Sequence, residues 1–240
     1  MKIGFFGDSF VEELSNPHSW FHGYQTYLAI IKKHYNAEIV NLGQGGSSYW
    51  DVILKQFPPV MNDLPDVCVF CWTEPSRLFH PTVRNIGSWL TGNPKHIDPI
   101  GKLLNYKKYE VAKQYYLHLH DQQKAEQEQL AALYYFDNVV LNPIRDKTKI
   151  IHLWSFGNVI EWEQENPFYP SNVTYPYRWQ TGHEIHPSLN CFTMIGCDSA
   201  ETADRAPNHF GSKENNTIIA DIIINAIDNH KNGSLSETIL

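Results

Sequence analysis

The sequence predicts an α/β protein built on a parallel sheet. Three observations carry that expectation. Short apolar runs alternate with segments of helical spacing through the first half of the chain, the pattern of successive βαβ units. The apolar runs end abruptly in turn-forming residues: Gly7-Asp8-Ser9 after the first, Gly43-Gln44-Gly45-Gly46 after the second and Thr73-Glu74 after the third. The chain then closes on an amphipathic helix, Glu214 to His230.

The elements follow in order. KIGFF near the N-terminus is the first strand, stopped by Gly7 and Asp8. Trp20 to His34 places apolar residues at helical spacing, with basic residues in its last turn, where they complement the helix dipole. AEIVNL is the second strand, and Tyr49 to Leu64 a helix broken or ended at Pro58-Pro59. Asp66 to Trp72 (DVCVFCW) is the third strand. Residues 77–105 lose periodicity and gather Pro, Gly and Asn, so they read as an insertion. Tyr106 to Asn138 is helical, as one helix or two, and Lys149 to Phe156 (KIIHLWSF) is the fourth strand. Residues 157–208 are rich in Pro, aromatics and His with little periodicity; they read as a second insertion, and connections of that length are usually functional. No internal repeat or domain linker is visible, so residues 1–240 are expected to form one domain.

Composition excludes several function classes. The chain of 240 residues has 19 Lys and Arg against 26 Asp and Glu, a net charge of −7. No basic cluster stands out, so nucleic acid and anionic membrane surfaces are not expected partners. No stretch of about 18 apolar residues suggests a membrane span. No basic region followed by a long apolar run marks a signal peptide, so the expected location is soluble and cytoplasmic by default. Of the four cysteines, Cys68 and Cys71 lie in a strand-like run and read as small buried hydrophobes. Cys191 and Cys197 lack zinc-finger spacing. His183-Glu184-Ile185-His186 is not the H-E-x-x-H helical spacing. Neither a metal nor a cofactor is called for.

In open parallel sheets, ligands sit beyond the carboxyl ends of the strands, so the three strand-end turns would meet on one edge. Ser9 is then a turn serine or a nucleophile. A serine nucleophile needs a base, a group orienting the base, and donors for the developing oxyanion. The Ser9 N–H is one such donor, and the glycines at 43, 45 and 46 permit another by close backbone approach. Late in the chain, DSAETADRAPNHFG brings Asp198, Asp204 and His209 just before the last helix. A histidine with an acid a few residues earlier fits a base with its orienting group.

These blocks resemble the SGNH/GDSL hydrolase superfamily: Gly7-Asp8-Ser9 after strand one, Asn41-Leu42-Gly43-Gln44-Gly45-Gly46 after strand two as N-x-G-x-x-G, and an acid with His209 before the C-terminal helix. The resemblance implies a flavodoxin-like three-layer α/β/α fold with a parallel sheet of about five strands. It implies a Ser-His-Asp triad acting on esters, thioesters or acylated sugars, so the expected partner is a small ester or acylated sugar substrate. By carry-over Ser9 is the nucleophile, His209 the base, and the Ser9 and Gly46 N–H groups part of the oxyanion hole.

The chain departs from the family twice. The third block, usually G-x-N-D, is here Cys71-Trp72-Thr73-Glu74-Pro75-Ser76-Arg77 without its Asn; Thr73 or a neighbouring group donates instead, or the hole is weaker by roughly 3 kcal/mol of barrier. The family's acid stands three residues before its His, where this chain has Ala206. Asp204 is the first choice for the acid, with Asp198 and Glu201 behind it. Asn41 reads as a turn-stabilising residue. Trp72 and Glu74 are expected to face substrate, Glu74 alternatively forming a local ion pair with Arg77. The aromatic-rich stretch Trp162 to Gln180 lines a ligand pocket or glues its loop to the domain. Two other functions stay open: a catalytically weak or silent carbohydrate- or ligand-binding protein on the same fold, and a nucleotide binder using GQGGSS. The last lacks both the G-x-G-x-x-G register and the P-loop Lys.

Overall fold

The computed structural model describes residues 1–8, 11, 26–84, 86–87, 90, 105–154, 177–178 and 213–229. Within them the chain is an α/β protein. Five strands, β1 (Lys2–Phe6), β2 (Glu38–Asn41), β3 (Val67–Trp72), β4 (Lys149–Trp154) and β5 (Tyr177–Arg178), form one sheet in the order β2-β1-β3-β4-β5. Every neighbouring pair is parallel. This is the flavodoxin-like order, whose direction of winding reverses between β1 and β3.

Alternation along the strands divides the core into two. Ile3 and Phe5 of β1, Val67, Val69 and Cys71 of β3, and Ile151 and Leu153 of β4 share one face. They pack against α1 (Tyr27–Tyr35) and the C-terminal helix α5 (Lys213–Asp228). Phe6, Cys68, Phe70, Trp72 and Ile150 take the other face. They pack against the helical stretch after β2 and against α4 (Gln122–Tyr135). The helical layers on both faces complete the three-layer arrangement.

Local chemistry sets the element ends. The Thr26 hydroxyl caps α1 by accepting from the Ala29 N–H (3.3 Å), and Asn36 ends it in the left-handed region at φ 47°, which Asn tolerates. The Tyr35 hydroxyl donates to Asp228 Oδ1 (2.7 Å) and fastens α1 to α5. After β2, Ser48 and Asp51 form a capping box for α2 (Tyr49–Asp51). That helix widens into a π-helical turn, Val52–Gln56, and ends in a 3-10 turn at Pro58–Val60, as the paired prolines require. The segment 106–138 is two helices: α3 (Tyr106–His118) stops before Asp121, whose carboxylate caps α4 by accepting from the Lys124 N–H (2.7 Å).

Parts of the two regions read as insertions are among the described residues. Val83, Ile86 and Leu90 of the first form a small core of their own with Ala112 and Tyr116 of α3. The second contributes β5, beside β4. Two residues are too few for strand alternation to be visible in sequence. Cys68 and Cys71 are free and buried, as expected of a core strand, and they point to opposite faces of the sheet. Burial pushes the Cys68 thiol up to about 11 and raises Cys71 as well. Among the described residues no helix is long and apolar enough to cross a membrane.

Candidate active site at the carboxyl ends of the strands

The chain leaves β1 through Gly7. Its backbone is gripped from both sides by one side chain: Gln56 Oε1 accepts from the Gly7 N–H (2.8 Å), and Gln56 Nε2 donates to the Gly7 carbonyl (2.8 Å). Gln56 Nε2 also reaches Ser47 Oγ (3.1 Å). A Cβ at position 7 would come within 2.7 Å of the Cys71 carbonyl oxygen, so the close approach of β1 to β3 here requires glycine.

Asp8 follows and is wholly buried. Its Oδ2 accepts from the Thr73 hydroxyl (2.9 Å) and pairs with Arg77 Nη1 (3.1 Å). Both partners come from the chain leaving β3, so these bonds cross the point where the winding of the sheet reverses. Arg77 is itself buried. Its Nη1 also donates to the Ser47 carbonyl (3.3 Å), and its Nε pairs with Glu74 (3.3 Å). One guanidinium therefore joins the ends of β1 and β3 to the loop after β2, using the fork of donors that Arg alone offers. Burial of a charge is tolerable only with such pairing.

The loop after β2 is shaped by Asn41 and Gly46. Asn41 Nδ2 donates to the Val11 carbonyl (2.6 Å), and its Oδ1 accepts from the Gly43 N–H (3.0 Å), which is the turn-stabilising role expected of it. Gly46 has φ 74°, in the left-handed region that favours glycine. Behind β3, buried Gln129 of α4 donates to the Thr73 carbonyl (2.7 Å).

Of the residues singled out from sequence, Gly46, Thr73, Glu74 and Trp72 can be placed. Gly46 adjoins Ser47, which the Arg77 network holds. Glu74 makes the local pair with Arg77 and accepts from the Ser76 hydroxyl (3.0 Å). Thr73 is nearly fully buried and its hydroxyl proton goes to Asp8. Trp72 does not face the strand ends. It is completely buried, its ring stacks on Phe70, and its Nε1 donates to His152 Nδ1 (2.8 Å). No surface of Trp72 is left for a substrate, because alternation puts it on the core face with Phe70 and Cys68. Ser9, Asp198, Glu201, Asp204, His209, His183, His186, Cys191, Cys197 and the aromatic stretch apart from Tyr177 and Arg178 lie outside the described residues. Among the described residues, no group of three or more His, Cys, Asp or Glu is placed to hold a metal ion.

Sequence reasoning missed Gln56 and Gln129. Each sits among apolar residues at helical spacing, Gln56 with Val52 and Ile53, and Gln129 with Ala125 and Leu133. A glutamine on the apolar stripe of a helix is the signal that would have found them, because a buried amide must meet a partner across the interface.

No family model matches the chain, and no curated protein matches it in sequence. Among solved structures, it is similar to a catalytic mutant of Axe2, an acetylxylan esterase from Geobacillus stearothermophilus, at 13% identity and a TM-score of 0.48 over 94% of this chain and 93% of that one. Axe2 itself gives 14% identity and a TM-score of 0.45 over the same shares. LAE5, an alpha/beta hydrolase enzyme from the metagenome of Lake Arreo, Spain, gives 12% identity and a TM-score of 0.44 over 96% of each chain. At these scores no residue role is carried over from them.

Proposed function

We propose that the protein is a serine hydrolase of the SGNH/GDSL type that cleaves ester bonds, in acylated carbohydrates or small acyl esters. In this reading the Ser9 hydroxyl attacks the ester carbonyl while His209 takes its proton. Asp204 orients the imidazole and stabilises its charged form. The Ser9 and Gly46 N–H groups receive the oxyanion, and Thr73 joins them only if its hydroxyl turns away from Asp8. Collapse of the tetrahedral intermediate expels the alcohol, which His209 protonates, and water then releases the acid by the same steps.

The observation that supports this reading most is the buried junction of Asp8, Thr73, Arg77 and the Ser47 carbonyl. It holds the residue before Ser9, the residue after Gly46 and the end of β3 together. They meet beyond the carboxyl ends of parallel strands, where the winding reverses and ligands bind in such sheets. The missing block-three Asn and the engaged Thr73 hydroxyl favour one second reading, a silent ligand-binding protein on the same frame.

Labelling by a fluorophosphonate probe, with the modified peptide identified by mass, separates the two. Ser9 should be labelled, and Ser9→Ala should lose p-nitrophenyl acetate hydrolysis by several orders of magnitude. Asp204→Asn should sharply lower kcat, with Asp198→Ala and Glu201→Ala mild. Activity should rise with pH through the neutral range as His209 loses its proton. Absence of labelling, or undiminished hydrolysis by Ser9→Ala, refutes the assignment.

A further inference from the structure

Beside the strand-end junction lies a cavity of about 420 Å³, within the range of small-molecule sites. It is walled by the start of α2, the chain leaving β3, α3 and α4, and of the proposed site residues that are described, neither Gly46 nor Thr73 lines it. Four aromatic residues do: Tyr49, Trp50, Phe79 and Tyr115. Trp50 and Tyr115 are only partly buried, so their rings keep surface for a ligand. Lys55 already covers a face of Phe79, 4.7 Å from the ring centroid.

The polar lining discriminates among ligand classes. Arg77 lines the cavity and is held between Asp8 and Glu74, so its charge is matched within the protein. Glu128 and His120 also line it, Glu128 3.5 Å from Lys124 and His120 Nε2 3.3 Å from Gln122 Oε1. An anionic ligand would meet the Glu128 carboxylate and find the guanidinium engaged. A plain acyl chain would set methylenes against the Glu128 carboxylate, removing its water without replacing it. A neutral ring with apolar C–H faces and outward hydroxyls satisfies both sets of groups, its faces against the aromatic rings and its hydroxyls toward Glu128 and the Tyr49 phenol. Burial, with the Glu128 charge adding to it, pushes that phenol up to about 12, so it stays a hydrogen-bond donor.

We propose that this cavity binds the sugar rings of a neutral saccharide, with Trp50 and Tyr115 as its stacking platforms. Resting on the hydrolase reading, it is also the subsite for the alcohol part of a saccharide ester, because Arg77 is shared between the cavity wall and the residue preceding Ser9.

The test uses saccharides without an ester, titrated calorimetrically into the full-length Ser9→Ala protein: xylotriose, cellotriose and mannotriose. At least one should bind. Trp50→Ala and Tyr115→Ala should each weaken binding about ten-fold, the worth of one aromatic platform. Trp50→Phe, which keeps a ring, should weaken it less, and Tyr134→Ala, an exposed residue outside the cavity, should not change it. Urea unfolding of each variant shows that it folds. Absence of binding by all three saccharides, or binding indifferent to both alanine variants, overturns the inference. Binding that depends on Trp50 in a protein that fluorophosphonate does not label would uphold the saccharide site and remove the hydrolase reading. Ester cleavage that quickens with acyl chain length, without saccharide binding, would leave the hydrolase and overturn the saccharide site.

Discussion

Arg77→Met removes the cation at the junction and keeps much of its bulk. Arg77 and Asp8 have side-chain exposures of 4% and 0%, with nitrogen and oxygen 3.1 Å apart. At an effective dielectric of about 20, that separation corresponds to about 5 kcal/mol of attraction, much of it offset in the native protein by the desolvation of both charges. Methionine leaves that cost uncompensated. Asp8 keeps the Thr73 hydroxyl, and the Ser47 carbonyl loses its guanidinium donor. Breaking a buried pair from one side typically costs about 3–5 kcal/mol, a large part of the roughly 5–15 kcal/mol that holds a domain folded. Asp8→Asn still accepts from Thr73 and presents no charge, so it should cost less. The double variant Asp8→Asn/Arg77→Met should be more stable than the sum of the two losses predicts. Urea unfolding followed by tryptophan fluorescence measures all three. A loss below about 1 kcal/mol for Arg77→Met, or strict additivity in the double variant, would refute the view that these charges stabilise one another. Arg77→Lys should not restore the parent, because one ammonium cannot reach Asp8, Ser47 and Glu74 together.

Two further predictions follow from the same frame. Gly46→Ala should lower stability by about 1–2 kcal/mol, the cost of a left-handed residue with a Cβ, and should slow fluorophosphonate labelling; an unfolding midpoint equal to the parent's would show that φ at 46 is not constrained. Burial lowers the pKa of His152 despite the neighbouring Asp137, with Arg145 adding to the lowering. The unfolded chain therefore takes up a proton that the folded one refuses, and stability should fall as pH drops below the unfolded value of about 6.5 toward the depressed folded one. His152→Gln should flatten the dependence of the urea midpoint between pH 7 and 5, and an unchanged slope would remove His152 as its source.

Legibility in the sequence followed the range of the interaction. The first four strands, the cap at Ser48, the proline stop after α2 and the Glu74–Arg77 pair are all local, and residue types a few positions apart announce them. Which face Trp72 occupies was equally local and was misread. Strand alternation ties it to Phe70 and Cys68, yet VCVFCW is apolar at every position, so no polar face marked the outside. The link from Arg77 to Asp8 spans most of the first three strands and exists only because β3 pairs with β1. Nothing in the spacing of those two residues could reveal it before the strand order was known. β5 was hidden for the opposite reason, being too short to carry a pattern.

The site also bears on how fast such a hydrolase can be. In the family this chain resembles, an Asn after the third strand gives a donor to the oxyanion. Here that stretch gives Thr73, whose hydroxyl donates to Asp8 at 2.9 Å, and Arg77, whose guanidinium meets Asp8, Glu74 and the Ser47 carbonyl. Both side chains that could replace the Asn are thus engaged in fixing the backbone from which a nucleophile would be presented. In the proposed hydrolase, stabilisation of the oxyanion would fall to backbone N–H groups, and the missing side-chain donor would correspond to roughly 3 kcal/mol of barrier, about a hundred-fold in kcat. A buried junction of this kind suits a rigid frame, because backbone donors stabilise a transition state only where they are held in place beforehand. On the hydrolase proposal, a low kcat with an ordered Gly46 turn is the combination that follows.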